Sequence, residues 1–438
     1  MNFEVLKRSH VKRNIIIAIV IVLVLSAIIL TFTRAKYRTT QSMPLLNGTI
    51  NYTLADLNIV AMYLDGEQVD TLPDGNYELT EESYCTNEEN VRDESITLNY
   101  DGSTNTFTVA PFSKKGTKCY LYFEEGANAS ETILANKTEG NRGSFNNAYS
   151  ADTTGKYFTT IDWTGNTTYY FAGNPTDNWL QFAGFYWKII RINGDGTIRL
   201  IYNGTSTTST GTNTQINGTT YRFNNANDNN MYVGFMYTEN DAHGLENSSN
   251  AKVVLDNWYN VNLSKYENYL NGNIGFCGDR TIYTGTGIGS GYNNFTYYSA
   301  YNRLYSNSSP SLQCDSRDIY TTKESSTGNK ALTYPVGLIT ADEVVLAGLP
   351  WNSRGYTTTN YLYTGQAYWT MTPYYYYSSN AMMFDVNVQS ALYNADTNTT
   401  LGIRPVINLR ADVSLSGSGT TSDPFKVVGT QDKSMKIN

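Results

Sequence analysis

Four consecutive tyrosines, Tyr374, Tyr375, Tyr376 and Tyr377, stand in the stretch YWTMTPYYYYSSNAMMFDVNVQ between Tyr368 and Gln389. Tyrosine offers a large, stiff ring for contact and one polar tip for a hydrogen bond. Ser378, Ser379 and Asn380 follow, small polar residues that add adaptable hydrogen bonding. The chain then alternates. Phe384, Val386 and Val388 fall on one parity, and Asp385, Asn387 and Gln389 on the other. That period of two predicts a strand with the first set in a core and the second facing outward. YYYYSSN then reads as a loop on a rigid scaffold, with Asp385, Asn387 and Gln389 as its floor. Tyr393, Asn394, Asp396 and Asn398 extend the same mixture of aromatic and polar types. The alternative is that two of the four tyrosines, on alternating parity, simply pack inside.

Catalytic chemistry has little to stand on. The only histidines are His10 and His243, which argues against a Ser-His-Asp triad or a His-rich zinc site. Asp342 with Glu343, or Asp385 with Asp396, could be imagined as acid pairs, but such pairs are defined by separation in space. Asp342 and Glu343 are also the acids that a helix N-terminus favours. No catalytic residue, cofactor or metal is assigned. With 31 Lys and Arg, 39 Asp and Glu and a net charge of -8, the chain has no electrostatic footprint for nucleic acid. Its 37 tyrosines outnumber its basic residues, as expected of a binding surface or of a β-rich extracellular protein.

Residues 14–33, NIIIAIVIVLVLSAIILTFT, carry no charge. Roughly 20 such residues span a bilayer as a helix, and no small-residue cleavage site follows. The segment reads as a transmembrane signal anchor. Lys7, Arg8, Lys12 and Arg13 precede it against Arg34, Lys36 and Arg38 after it, a slight excess that leans toward residues 1–13 being cytoplasmic, with the remainder outside. The four cysteines, Cys85, Cys119, Cys277 and Cys314, form two separated pairs with no C-x-x-C spacing. An even count beyond an anchor suggests the disulfides Cys85–Cys119 and Cys277–Cys314 in an oxidising compartment. Each would be worth about 3–4 kcal/mol if unstrained.

Behind a linker at 34–48, residues 49–125 read as a small β-sandwich that acts as a stalk, with turn signals and a hairpin at SITLNYDGSTNTFTVAPF. Residues 126–150 are polar and read as a second linker. A larger domain spans 151–428, followed by a tail at 429–438. Its clearest hairpin is FYWKIIRINGDGTIRLIYNG, with Trp187, Ile189 and Arg191 on one parity. SSNAKVVLDNWYNVNL predicts a helix capped by Ser249 or Asn250, with Val254, Leu255, Trp258 and Leu263 as its buried stripe. TADEVVLAG predicts a short helix with a Thr340/Glu343 capping box and a stop at Gly348. The glycine-rich GTGIGSGY lacks a strand-then-helix frame and reads as a flexible loop. The fold class is α+β.

Several stretches, in order, resemble a family of surface proteins of gut Firmicutes: YYFAGNPTDNWLQFAGFYWKIIRINGDGTIRLIYNG, FCGDR, YPVGLITADEVVLAG, YWTMTP and GIRPVINLRADVSLSGSGTTSDPFKVV. The resemblance covers roughly 150–428. It implies a C-type-lectin-like domain of the formylglycine-generating-enzyme type. Proteins of that fold include the targets of diversity-generating retroelements, whose variable C-terminal segment carries a ligand-binding face. The segment 374–398 holds the residue types expected of one, and GIRPVINL sits where a fixed framework strand would follow. Cys277 and Cys314 do not fall in the reactive motif of formylglycine generation. WNS at 351–353 is only a partial echo of a calcium-binding lectin triplet. The function this implies is a membrane-anchored extracellular binding protein with a protein or glycan ligand. The alternatives are an undiversified structural or adhesive surface protein and, behind it, an oxidase or surface glycosidase.

Overall fold

A computed structural model describes residues 41–44, 57–72, 77–101, 106–110, 117–322 and 328–427. The apolar segment 14–33 and the tail beyond Val427 lie outside the described residues. Among the described residues, no helix is long and apolar enough to cross a membrane. The chain divides into two compact units, one ending at Gly126 and the other beginning at Ala127.

In the first unit the strand Thr117–Glu125 organises the rest. It pairs in parallel with Leu57–Leu64 and antiparallel with Tyr77–Leu79 and Tyr84–Thr86. Its side chains alternate, so Thr117, Cys119, Leu121 and Phe123 are buried. Asp65 and Gly66, both at positive φ (50° and 84°), turn the chain into Glu67–Val69, as a tight Asp-Gly hairpin requires. A second sheet holds Gln41–Pro44, Thr106–Ala110 and Thr97–Asp101. Phe107 and Val109 from that sheet share one core with Met62, Cys119, Leu121 and Phe123 from the first, so the unit is a β-sandwich. Cys85 and Cys119 face each other directly across the sheet and are bonded.

The second unit is mixed α+β, mostly strands with three α-helices among the described residues. It begins earlier than its polar opening suggests. Helix α1, Ala129–Leu134, is closed by a capping box between Asn128 and Glu131. Ala129 and Ile133, four residues apart, are fully buried in the main core. The stretch 126–150 is therefore not simply a linker; Ala129, Ile133 and Leu134 among polar neighbours are too sparse a pattern to show it.

Phe185–Ile192 is the central strand of the larger sheet. It pairs with Trp179–Phe182 on one side and with Ile198–Tyr202, then Val406–Leu409, on the other. The expected hairpin turns through Asn193–Thr197, with Gly196 at φ 82°. Trp187, Ile189 and Arg191 are buried as predicted. Ile190 and Ile192 are buried too, because this strand is covered on both faces. Helix α2 is Asn250–Asn262, and Ser249 Oγ caps it by accepting from Lys252 N at 3.1 Å. Leu255, Trp258 and Leu263 are buried, and Val254 is half-buried.

Helix α3, Ala341–Ala347, has the capping box at Thr340 and Glu343 and a left-handed Gly348 at its end (φ 115°). All seven of its residues are buried. Glu343 both caps α3 and pairs with two buried arginines, Arg191 (2.9 Å) and Arg199. Burial pushes its carboxyl up, but Arg199 and Arg191 together outweigh that and hold it below its ordinary value. Cys277 and Cys314 are bonded to each other, as their spacing suggested.

Candidate functional site

The second sheet carries the tyrosines. Its strands include Tyr368–Tyr377, hydrogen-bonded to Asn380–Val386 on one side and to Phe295–Tyr298 on the other, with Leu392–Asp396 beyond Asn380–Val386. All four tyrosines thus lie in a strand, not in a loop. The turn is only Ser378–Ser379, both at positive φ (50° and 63°), the demand of the tight hairpin turns that match strand twist. Asn380 already pairs with Tyr377.

The strand is strongly bulged. Trp369 faces Asp385 and Pro373 faces Met383, so Thr370, Met371 and Thr372 share the single residue Phe384. One further residue, Tyr374, is squeezed in before Tyr375 meets Met382. Pro373 cannot donate to the ladder, and a bulge is where a strand tolerates it. The first irregularity docks α3. Met371 N donates to Ile339 O at 2.8 Å, and Ala341 N donates to Thr372 Oγ1 at 3.0 Å, satisfying an end group of that helix. The second changes which way the tyrosines point. Tyr374 and Tyr375 lie side by side, ring centroids 4.5 Å apart, instead of on opposite faces. Tyr376 goes the other way. It is fully buried, its hydroxyl donating to Asp228 O (2.9 Å) and accepting from Gly291 N (3.0 Å).

Tyr374, Tyr375 and Tyr377 join a continuous aromatic tract. Tyr301 lies 5.1 Å from Tyr374, 4.7 Å from Tyr297 and 4.8 Å from Tyr305. Tyr297 in turn meets Tyr375 (5.7 Å), Tyr377 (6.5 Å) and Phe295 (6.2 Å). Trp351 is held between two tyrosines, Tyr374 at 5.2 Å and 8° and Tyr393 at 5.6 Å and 26°. The tract runs from a packed floor to an open rim. Tyr374 and Trp351 are buried, Tyr297, Tyr301 and Tyr375 are half-buried, and Phe295 (44 %), Tyr393 (43 %) and Tyr377 (50 %) are exposed. Burial, then neighbouring tyrosines, raise the hydroxyl pKa values of Tyr297, Tyr301, Tyr374 and Tyr375. These hydroxyls stay protonated donors at physiological pH.

The expected polar floor is not formed as the alternation implied. Asp385 is buried (3 % exposed) between Trp369 and Tyr393, because Asn380–Val386 is an inner strand covered on both faces. Burial pushes its carboxyl up to about 7, and one carboxyl oxygen has no hydrogen-bond partner. Val388, expected inside, is 55 % exposed because the strand ends at Val386. Asn387 instead builds the next turn: its side-chain oxygen accepts from Gln389 N (3.0 Å) and Ala391 N (3.1 Å). Gln389 is exposed in that turn. Ser378, Ser379, Asn380, Asn394 and Asp396 are half-buried, and Asn398 is exposed. Asn398, Asn227 and Asn380 form a short amide chain beside the hairpin (3.2 and 2.9 Å).

Phe295, Tyr297, Tyr301, Tyr305 and Trp351 are the site residues that the tyrosine run does not announce. One signal for two of them is in the sequence: Tyr301 and Tyr305 stand four residues apart, the spacing of one helical face, while Tyr297 reaches the same rings from the strand before them. Tyr301–Ser306 is indeed a wide helical turn, closed by Asn307 N to Asn302 O at 3.2 Å. The glycine-rich segment before it is tied down: Asn230 N and its side-chain amide both bond Gly289 O, and Asn294 bonds Ile288 O at 2.7 Å.

The acids proposed as pairs are already occupied or apart. Asp342 pairs with Arg303, which also holds Asp279, and Glu343 pairs with Arg191 and Arg199. Asp385 lies opposite Tyr393, three positions along its strand from Asp396. His243 is bound to Asp318, which also pairs with Arg280. Among the described residues no group of three or more metal-ligating side chains is assembled. The cavity bounded by Trp163, Cys277, Asp279 and Asp342 is only about 10 Å³. Comparison with protein-family models, with curated proteins and with solved structures finds no match to this chain in any of the three.

Proposed function

We propose that this chain is a membrane-anchored extracellular binding protein, and that its second unit, arranged as a C-type-lectin-like domain, presents the aromatic tract to a protein or glycan ligand. The observation that carries this reading is the graded exposure of one unbroken run of rings. A floor of Trp351 and Tyr374 is packed, and a rim of Phe295, Tyr377 and Tyr393 is open, all on hydrogen-bonded strands and turns. Rigid aromatic side chains of this kind give contact area at low entropic cost. The anchor rests on residues 14–33, and the extracellular placement on the two disulfides.

Retroelement diversification fits only part of 374–398. Tyr374, Tyr376 and Asp385 are buried and would tolerate few replacements. Asn387 is held to its turn by its own side-chain bonds, and the positions with room to vary are Tyr375, Tyr377, Ser378, Ser379, Asn380, Gln389, Tyr393, Asn394, Asp396 and Asn398. That mixture also favours a second reading, a fixed adhesive surface whose aromatic residues are partly structural. A near-copy of the 368–410 coding stretch beside the gene, differing only at adenines and accompanied by a reverse transcriptase, separates the two.

The binding reading is tested with the full chain in lipid nanodiscs on protein and glycan arrays. Ligands of the unmodified chain are expected to be lost in a Tyr375→Ser, Tyr377→Ser, Tyr393→Ser variant that retains its thermal transition. Retention of every ligand by that variant overturns the assignment of the face.

A further inference from the structure

We infer that the aromatic face takes a cation supplied by its partner: the arginine or lysine side chain of a protein ligand, set over the tyrosine rings beside Asp396. This inference rests on the binding-face reading and names its ligand chemistry.

Elsewhere the protein covers its own aromatic rings with cations. Lys188 Nζ sits 3.6 Å from the centre of Trp179, and the Arg142 guanidinium 4.2 Å from that of Tyr149. Nine such pairs occur among the described residues, and every one uses a ring outside the tract. Among the described residues, no cation lies over the electron-rich faces of Tyr297, Tyr301, Tyr375 and Tyr377. The two arginines nearest along the chain are committed. Arg303 is clamped by Asp279 and Asp342, and Arg354 donates to the carbonyls of Leu304, Tyr305 and Ser306.

Asp396 supplies the charge. It shares a line across the sheet with Met382 and Tyr375, so its side chain belongs to the tract's edge. Asp396 is half-buried. Burial raises this carboxyl above its ordinary value, although Asn227 donates to it. A guanidinium or ammonium would pair with the half-buried Asp396 carboxylate and be drawn to the ring faces at the same time. A neutral sugar would stack on the rings and leave the charge unpaired. An anion would meet Asp396 and a chain of net charge -8.

The test titrates the full chain in nanodiscs with N-acetyl-argininamide and with its neutral isostere, N-acetyl-citrullinamide, following NMR shifts. Cellohexaose serves as a neutral glycan probe. The arginine probe is expected to bind about fivefold more tightly than the citrulline probe. Asp396→Asn should abolish that difference, and Tyr377→Ser, at an exposed position, should weaken the arginine probe about threefold without altering the thermal transition. Equal binding of the two probes, or no binding of the arginine probe, overturns the inference. So does arginine binding that neither substitution changes, which is mere attraction to an acidic surface. Cellohexaose binding that depends on Tyr377, without arginine binding, also overturns it while leaving the binding face itself standing. The face falls only if no ligand of any kind responds to the tyrosine substitutions.

Discussion

Along Thr117–Glu125 in the first unit, every second side chain enters the core, and the tyrosines between them look outward in regular alternation. Tyr122 stacks on Tyr63 at 4.6 Å and 7°, and Tyr120 on Tyr84 at 5.0 Å and 21°. Each ring meets a partner across the sheet, the usual unit of strand stabilisation. Along Tyr368–Tyr377 in the second unit, the ladder slips by three residues between Trp369 and Tyr375. The slip puts Tyr374 and Tyr375 on the same side, and rings from three separate segments close around them. A regular ladder yields ring pairs; a bulged one gathers rings into a surface. The difference lies in backbone register, because both strands carry the same residue type.

The largest effect that would expose this difference is at Trp351, which has no counterpart in the first unit. Trp351→Ala removes the ring lying between Tyr374 and Tyr393 and should cost about 3–5 kcal/mol in the second unit. In denaturant unfolding of the full chain, the first unit's transition should stay in place. If Trp351→Ala costs less than about 1 kcal/mol, the floor of the tract is not packed as described.

A somewhat smaller effect depends on pH and is also peculiar to the bulged sheet. The folded Asp385 carboxyl has its pKa raised to about 7, whereas an unfolded aspartate titrates near 3.9. Between those values the folded state holds a proton that the unfolded chain has released, so the contribution of Asp385 to stability is full below about pH 4 and is lost as pH rises through 7. Asp279, also raised to about 7 by burial, contributes in the same window. Comparing the chain with Asp385→Asn isolates Asp385. The variant should be more stable than the parent at pH 8 and lose less stability between pH 5 and pH 8. Identical slopes for the two proteins would show that Asp385 has found a partner that stabilises its charge.

Much of this arrangement is legible in the sequence where a local rule decides. The Asp-Gly and Asn-Gly-Asp-Gly turns and the Ser249 and Thr340 caps follow from short-range chemistry, and the pairing of Cys85 with Cys119 and Cys277 with Cys314 from an even count that falls as two separated pairs. Alternation failed at Asp385 and Val388 for two different reasons. Asp385 sits on an inner strand with both faces covered, where parity no longer separates core from solvent. Val388 lies beyond a strand end that Asn387 sets through its own backbone bonds. The bulges were illegible because they exist only relative to a partner strand, and Pro373 was the lone local hint. Trp351 reaches the tyrosines from a segment more than twenty residues upstream of Tyr374, a contact that no local pattern specifies.

The smallest effect separates the buried tyrosine from the exposed one. Tyr376 and Tyr377 are adjacent, yet Tyr376 is fully buried and Tyr377 is half exposed. Tyr376→Phe keeps the ring and deletes the hydroxyl that bridges Asp228 O and Gly291 N, leaving an amide and a carbonyl without that partner. It should cost about 1–3 kcal/mol. Tyr377→Phe removes a hydroxyl at the open rim, and its stability should change by no more than about 0.5 kcal/mol. The order should reverse in ligand binding, where Tyr377 is at the rim and Tyr376 is on the far side of the sheet from the tract. Equal stability costs for the two variants would mean that the residue inserted at Tyr374 does not divide the tyrosines between core and surface, and the contrast with the first unit's regular strand would be lost.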